Sequence, residues 1–124
     1  MPNRKIQLKW FAAVSGVVVL LILSALLYVS YKREIITDFQ NTKLMGQDLP
    51  LFTLEELKNY SGQVMSQPIY VGLNSYVYDV SAGGKLYQPG GPYNYLTGKD
   101  SSEELNLIGG ETIAKKYPIV GRLP

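Results

Sequence analysis

Residues 87–100 read Tyr87-Gln88-Pro89-Gly90-Gly91-Pro92-Tyr93-Asn94-Tyr95-Leu96-Thr97-Gly98-Lys99-Asp100. Together with Gly83 and Gly84 they form a stretch dense in glycine, proline and tyrosine, with no repeat period. Proline removes a backbone donor and fixes φ, so this stretch is neither a regular helix nor a central strand. An irregular segment of this length in a small domain is commonly functional.

The flanking sequence is more regular. Upstream, residues 52–60 (FTLEELKNY) predict a short helix. Thr53 and Glu56 have capping-box spacing, and Asn59 to Gly62 stop the helix. Residues 68–73 (PIYVGL) and 76–80 (YVYDV) are rich in β-formers, and Asn74-Ser75 between them predicts a hairpin. In the first run Ile69, Val71 and Leu73 alternate with Tyr70 and Gly72. In the second, Val77 faces away from Tyr76 and Tyr78. Downstream, residues 101–107 and 111–117 predict two short helices separated by Gly109-Gly110, with Ser101 and Glu104 as a second capping box. Residues 118–123 (PIVGRL) predict a terminal strand that pairs with the hairpin.

The other end of the chain is apolar. Trp10 to Tyr31 contains no charged residue, and as a helix it spans roughly 33 Å, enough for a bilayer core. Trp10, Tyr28 and Tyr31 stand where interfacial aromatics stand. A buried core helix rarely runs so far without a polar face. A cleaved signal peptide has a shorter apolar region and a small-residue cleavage site, which Leu-Tyr-Val-Ser-Tyr does not offer. The expected organisation is a basic flank over 1–9, a transmembrane helix over 10–31, a juxtamembrane stalk over 32–50 and a folded domain over 51–124. Ile35, Ile36 and Phe39 keep helical spacing in the stalk, which should end near Gly46. Arg4, Lys5 and Lys9 precede the span, and Lys32 and Arg33 follow it. This near balance tilts only slightly toward a cytoplasmic N-terminus and leaves the side of the membrane open.

Composition narrows the chemistry. The chain has 124 residues, 46% hydrophobic and 18% charged, with net charge +2. Residues 1–46 carry net +4 and residues 47–124 net −2, so the folded part has no basic surface for nucleic acid. It contains neither cysteine nor histidine. Disulfides, thiolate zinc sites, cysteine nucleophiles and Ser-His-Asp arrangements are excluded. The glycine-rich stretch lacks a Gly-Lys-Ser/Thr ending, because Lys99 precedes Asp100, so it is no phosphate loop. The adjacent pairs Glu55/Glu56 and Glu103/Glu104 diverge by about 100° on a helix and read as solvated caps. An enzyme is not expected. What remains is ten tyrosines against three phenylalanines and one tryptophan. Tyrosine at this density serves packing, a flat docking surface, or phenolate ligation of ferric iron. Composition leaves the three open.

The runs FTLEELKNYSGQ, PIYVGLNSYVYDVS and YQPGGPYNYLTGKD resemble the cytochrome b5-like haem/steroid-binding domain, and more narrowly the membrane-associated progesterone receptor group. The resemblance covers residues 51–123 and implies an α+β fold: a short sheet surrounded by short helices. Where cytochromes b5 carry an axial histidine before Pro-Gly-Gly, this chain has Gln88, and bis-histidine ligation is excluded. The resembled group instead holds haem b, ferric and five-coordinate, through a tyrosinate. That implies Tyr93 as the iron ligand, Tyr87 as its supporting tyrosine, and Lys116 and Tyr117 as haem contacts. Asp100 matches the aspartate that ends the Gly-x-Asp turn. Tyr95 is expected to pack, and Met45 and Met65 lie outside the motif. Only fifteen residues separate Asp100 from Lys116, so the chain resembles a short form lacking the long insertion of animal members. Steroid binding and the animal partners are not carried over. The implied role is a membrane-anchored haem-binding protein acting in haem binding, transfer or sensing. The alternatives are a haem-free interaction module docking a membrane partner through the tyrosine loop, and a redox partner of membrane oxygenases. An open second haem face further implies a haem-dependent homodimer.

Overall fold

The computed structural model describes residues 3–44 and 48–124. The chain divides into two compact units, Met1–Tyr31 and Lys32–Pro124. The expected stalk end at Gly46, and Met45, lie outside the described residues.

Helix α1 spans Arg4–Lys43. It is the one described helix long and apolar enough to cross a membrane. Its candidate span, Arg4–Asp38, contains a stretch with a mean hydropathy of 2.6, none of it buried. Within the first unit every large apolar side chain from Trp10 to Leu27 is exposed to its surroundings, so nothing inside that unit covers them.

The second unit contains α2 (Leu54–Leu57), β1 (Tyr70–Leu73), β2 (Tyr76–Asp79), α3 (Ser102–Leu107), α4 (Gly110–Lys116) and β3 (Ile119–Arg122). The sheet order is β1-β2-β3 and both pairings are antiparallel. Asn74 and Ser75 take φ of 47° and 71°, the left-handed pair that a two-residue hairpin turn requires. β3 closes the sheet against β2, with an irregularity between Val77 and Tyr78. The capping box at α2 is present: Glu56 N–H donates to Thr53 Oγ1 and Thr53 N–H to the Glu56 carboxylate.

The alternation in the strands separates two apolar clusters. Val71, Leu73 and Tyr78 join Ile36, Val80, Tyr87, Leu96, Leu105, Ile113, Ala114 and Tyr117 on one face. Val77 joins Leu57 and Leu123 on the other, with Phe52, Tyr70 and Val120 packed against them. Burying such side chains contributes about 1.5–3 kcal/mol each, the main favourable term in so small a core.

Two local expectations change. The capping box at Ser101 does not form. Ser101 is fully buried, and its hydroxyl donates to the Leu96 carbonyl at 2.7 Å. A buried carbonyl left unpaired is costly, and that need outweighs the cap. Asp100 takes the capping role, accepting from the Ser102 N–H and hydroxyl, and Glu104 pairs with Lys99 at 3.0 Å. The segment expected as a stalk enters the folded unit. Ile36 and Gln40 are each 1% exposed, Gln40 Nε2 donates to the Leu73 carbonyl at 2.9 Å, and Lys32 pairs with Glu111 at 3.0 Å.

Candidate functional site

The glycine- and tyrosine-rich stretch is ordered by backbone bonding. Two short 3-10 turns cover Ser81–Leu86, broken by a kink at Gly84, where φ is 48°. Tyr93 N–H then returns to the Leu86 carbonyl at 2.9 Å, closing the loop over Pro-Gly-Gly. Gly91 is obligatory here, because a Cβ would strike the carbonyls of Lys85 and Leu86. Asn94 fixes the loop to the domain, its Nδ2 donating to the carbonyls of Tyr87 and Ser61 at 2.8 and 2.9 Å. Gly98 N–H donates to the Tyr70 carbonyl at 2.8 Å.

This closure brings three tyrosines together. Tyr87 and Tyr117 are 6% and 3% exposed, whereas Tyr93 is 44% exposed. The Tyr87 ring centroid lies 5.8 Å from that of Tyr93, tilted at 44°, and 5.8 Å from that of Tyr117, edge to face. Gly83 admits this packing, since a Cβ would lie 2.5 Å from the Tyr87 ring and 2.7 Å from the Tyr117 hydroxyl. Burial pushes the Tyr87 phenol up to about 12, with Tyr117 and Tyr93 adding to the rise. Tyr87 is therefore a neutral hydrogen-bonding phenol at physiological pH.

Tyr87 and Tyr93 line a cleft of about 390 Å³ between the tyrosine loop and helices α3 and α4. Its apolar wall is Leu96, Leu105, Leu107, Ile108 and Ile113. Leu107 and Ile108 are 52% and 84% exposed. Gly109, at φ 92°, turns the chain between the two helices. The volume lies within the roughly 300–1,000 Å³ of small-molecule sites.

Of the four residues assigned to the cofactor, Tyr87 and Tyr93 line the cleft. Tyr117 stands behind Tyr87, and Lys116 is solvent-facing with its Nζ 5.6 Å from the Tyr117 ring centroid. Tyr95, expected to pack, is 62% exposed and lines the cleft. Gln88 and Met65 line a different depression, beside Pro89 and Ile69. The sequence reading missed the helical wall. Its signal was Leu107-Ile108, two apolar residues at the end of a short helix and beside Gly109-Gly110.

The residues present fit a flat, largely apolar group carrying a hard metal ion. The walls are mainly aliphatic and aromatic, with Glu104 and Thr112 also in the lining, and Tyr93 offers an oxygen donor beside the buried neutral phenol of Tyr87. The cleft lining contains no imidazole or thiolate.

Comparison with known proteins identifies the family of the domain. The profile of the cytochrome b5-like heme/steroid binding domain matches residues 53–124. "Probable steroid-binding protein 3" of Arabidopsis thaliana is 44% identical over 96 residues, covering 58% of this chain and 96% of that protein. "Membrane steroid-binding protein 1" of the same plant is 42% identical over 72 residues, 58% of this chain and 33% of its own length. Neuferricin of Danio rerio is 44% identical over 52 residues, 42% of this chain but only 20% of its own length. The chain thus spans a third or less of the longer relatives. Among solved structures, an Arabidopsis thaliana protein with a cytochrome b5 like fold superposes with TM-score 0.52 at 34% identity, covering 60% of this chain and 91% of that one. A Hadesarchaea cytochrome b5 domain protein gives 0.52 at 30% identity, covering 61% and 100%. The closed Pro-Gly-Gly loop, the three-stranded sheet and these matches place the chain in the cytochrome b5-like haem/steroid-binding domain family.

Proposed function

We propose that this protein is a membrane-anchored haem-binding protein in which Tyr93 ligates the iron, serving haem binding, transfer or sensing rather than catalysis. The observation that carries this reading is the position of Tyr93. It is the half-exposed phenol of a three-tyrosine cluster, set at an apolar cleft, in a chain with no histidine or cysteine. Bound haem supplies a Lewis-acidic ferric centre that favours a phenolate ligand. Tyr87, a buried neutral phenol whose ring lies 5.8 Å from that of Tyr93, would turn its hydroxyl from Tyr117 to serve as a hydrogen-bond donor to that oxygen. Leu105, Leu107, Ile108 and Ile113 exclude water from the ligand face. Lys116, exposed at the end of α4, is the cation for a propionate.

The test is titration of the full chain with hemin, followed by absorption spectroscopy. Saturable binding with a ferric, high-spin, five-coordinate spectrum is expected. Absence of a Soret shift overturns the reading and removes the redox-partner alternative as well. Several relatives are named for steroid binding, so a parallel steroid titration separates the two ligand classes; competition with hemin would place both in the same cleft.

Membrane anchoring rests on the hydropathy of α1 and on relatives named as membrane proteins. The full chain should remain with membranes after alkaline carbonate extraction. Release into the supernatant overturns the anchor.

A further inference from the structure

Helix α4 has two occupied sides. Gly109, Thr112 and Ile113 line the ligand cleft. Gly110 and Glu111 meet the helical segment 32–41, which the sequence marks only as a continuation of the apolar helix. The contact is close and specific. A Cβ on Gly110 would lie 2.7 Å from Ile36 Cδ1 and 2.5 Å from the Leu105 carbonyl oxygen. Leu105 is itself part of the cleft wall. Ile36, 1% exposed, therefore forms the layer immediately behind that wall. One turn before it, Lys32 Nζ sits 3.0 Å from Glu111 Oε2. One turn after it, Gln40 Nε2 donates to the Leu73 carbonyl at 2.9 Å, with the Gln40 side chain buried. Three successive turns of one helical face are thus fixed to the domain by an ion pair, an apolar contact and a buried hydrogen bond.

We infer that Lys32, Ile36 and Gln40 are positioning residues for the ligand cleft, and that docking of this helical segment and occupancy of the cleft are thermodynamically linked through α4. The inference rests on the ligand reading above. A seven-residue helix packed against the segment on one side and facing the cleft on the other moves as a body, and close-packed contacts do not deform continuously. Undocking the segment removes the support behind Gly110 and Leu105 and loosens the wall on the other side. Linkage is reciprocal: whatever the docked segment adds to ligand affinity, the ligand adds to docking. None of the three residues lines the cleft, so an effect on binding must pass through the packing behind its wall, at Gly110 and Glu111 of α4 and at Leu105.

The experiment uses the full chain in detergent micelles. Ile36→Asp places a charge in the buried layer, and Lys32→Glu sets like charges against each other at Glu111. The second change lies at a partly exposed pair and preserves the fold if the first does not. Hemin affinity should fall on the order of tenfold in either variant, within the ordinary range of coupling between sites. Hydrogen exchange at the amides of residues 36–41 should slow when wild-type protein binds hemin. The rise in denaturation midpoint caused by hemin should shrink in the variants, which a uniform loss of stability would not produce. Variants whose segment exchanges faster yet bind hemin as tightly as wild type overturn the linkage. So does hemin binding that leaves exchange in the segment unchanged. A wild-type chain that takes up no hemin overturns the ligand reading itself, and the linkage with it.

Discussion

The sheet separates two aromatic clusters of similar composition and different exposure. On one side Phe52, Tyr60 and Tyr70 close on each other. Tyr60 and Tyr70 stack at 4.5 Å, and Phe52 meets both edge-on at 5.8 and 5.7 Å. On the other side Tyr87, Tyr93 and Tyr117 form a chain, with 5.8 Å between successive centroids, that ends at a cleft. The first cluster is bounded by the strand that closes the fold. Phe52 N–H donates to the Arg122 carbonyl at 2.8 Å, and Gly121 is pressed against the Phe52 ring. The second is bounded by the Pro-Gly-Gly loop, which leaves Tyr93 half exposed. Tyrosine content alone therefore does not mark a site; the first cluster is half-buried throughout, whereas the second runs from two buried rings to an exposed phenol at a cleft.

Substitution distinguishes the two. Tyr93→Phe keeps the ring and removes the oxygen proposed to ligate the iron. Saturable hemin binding should be lost while circular dichroism and urea unfolding stay near wild type, because the side chain is 44% exposed. Retention of the wild-type spectrum in Tyr93→Phe would reassign the ligand.

Phe52→Ala should act in the opposite sense. It opens a gap under Gly121 and beside two tyrosines, costing roughly 2 kcal/mol of stability by burial and cavity terms together. Urea denaturation measures the cost, and hemin affinity of the remaining folded protein should be unchanged.

Tyr87→Phe and Lys116→Ala should each weaken hemin binding by on the order of 1–2 kcal/mol, the scale of one supporting hydrogen bond or ion pair. Isothermal titration reads this, and both variants should keep the spectral type of the wild type.

Alkaline pH tests burial in the open cluster. Tyr87 and Tyr78 are both raised from an ordinary value of 10.0 to about 12, chiefly by burial. Both phenols are neutral in folded and unfolded chains below about pH 10. Between about 10 and 12 the unfolded chain ionises first, so the stability present at lower pH is lost as pH rises through the folded values. Ultraviolet titration should show Tyr78 and Tyr87 ionising last, after Tyr70, which burial also raises, and unfolding free energy should fall over the same interval. Tyr87→Phe should remove one late phenol.

The smallest effect belongs to Tyr95. It lines the cleft through its ring, so Tyr95→Phe should leave hemin affinity within about twofold, since no bond of its oxygen to the ligand is invoked. Tyr95→Ala should cost more through lost apolar contact. Equal losses in Tyr95→Phe and Tyr93→Phe would place the oxygen of Tyr95 at the iron.

Local grammar was readable along the chain. The Thr53/Glu56 box, the Asn74-Ser75 turn and the alternation of Val71, Leu73 and Val77 all depend on neighbours a few residues away, and each appears in the fold as read. Ser101 was misread because its hydroxyl has two candidate uses, a local cap and the carbonyl of Leu96, and only burial decides between them. Leu107 and Ile108 were invisible as a wall because nothing in a six-residue helix says which loop it faces. Ile36 and Gln40 read as stalk because helical spacing beside a long apolar run looks like more of the same helix.

The sequence by itself determined the elements, the absence of nitrogen and sulfur ligands from imidazole or thiolate, the apolar span, and the Pro-Gly-Gly loop that carries Tyr87 and Tyr93. Those follow from residue types and short-range spacing. Folding in three dimensions sets which tyrosine is exposed and which are buried, which apolar residues form the cleft, and that Lys32 and Ile36 pack against Glu111 and Gly110 of α4. These are contacts between segments distant in sequence, set by which packing buries the most surface while pairing most buried polar groups, and no local pattern encodes that choice.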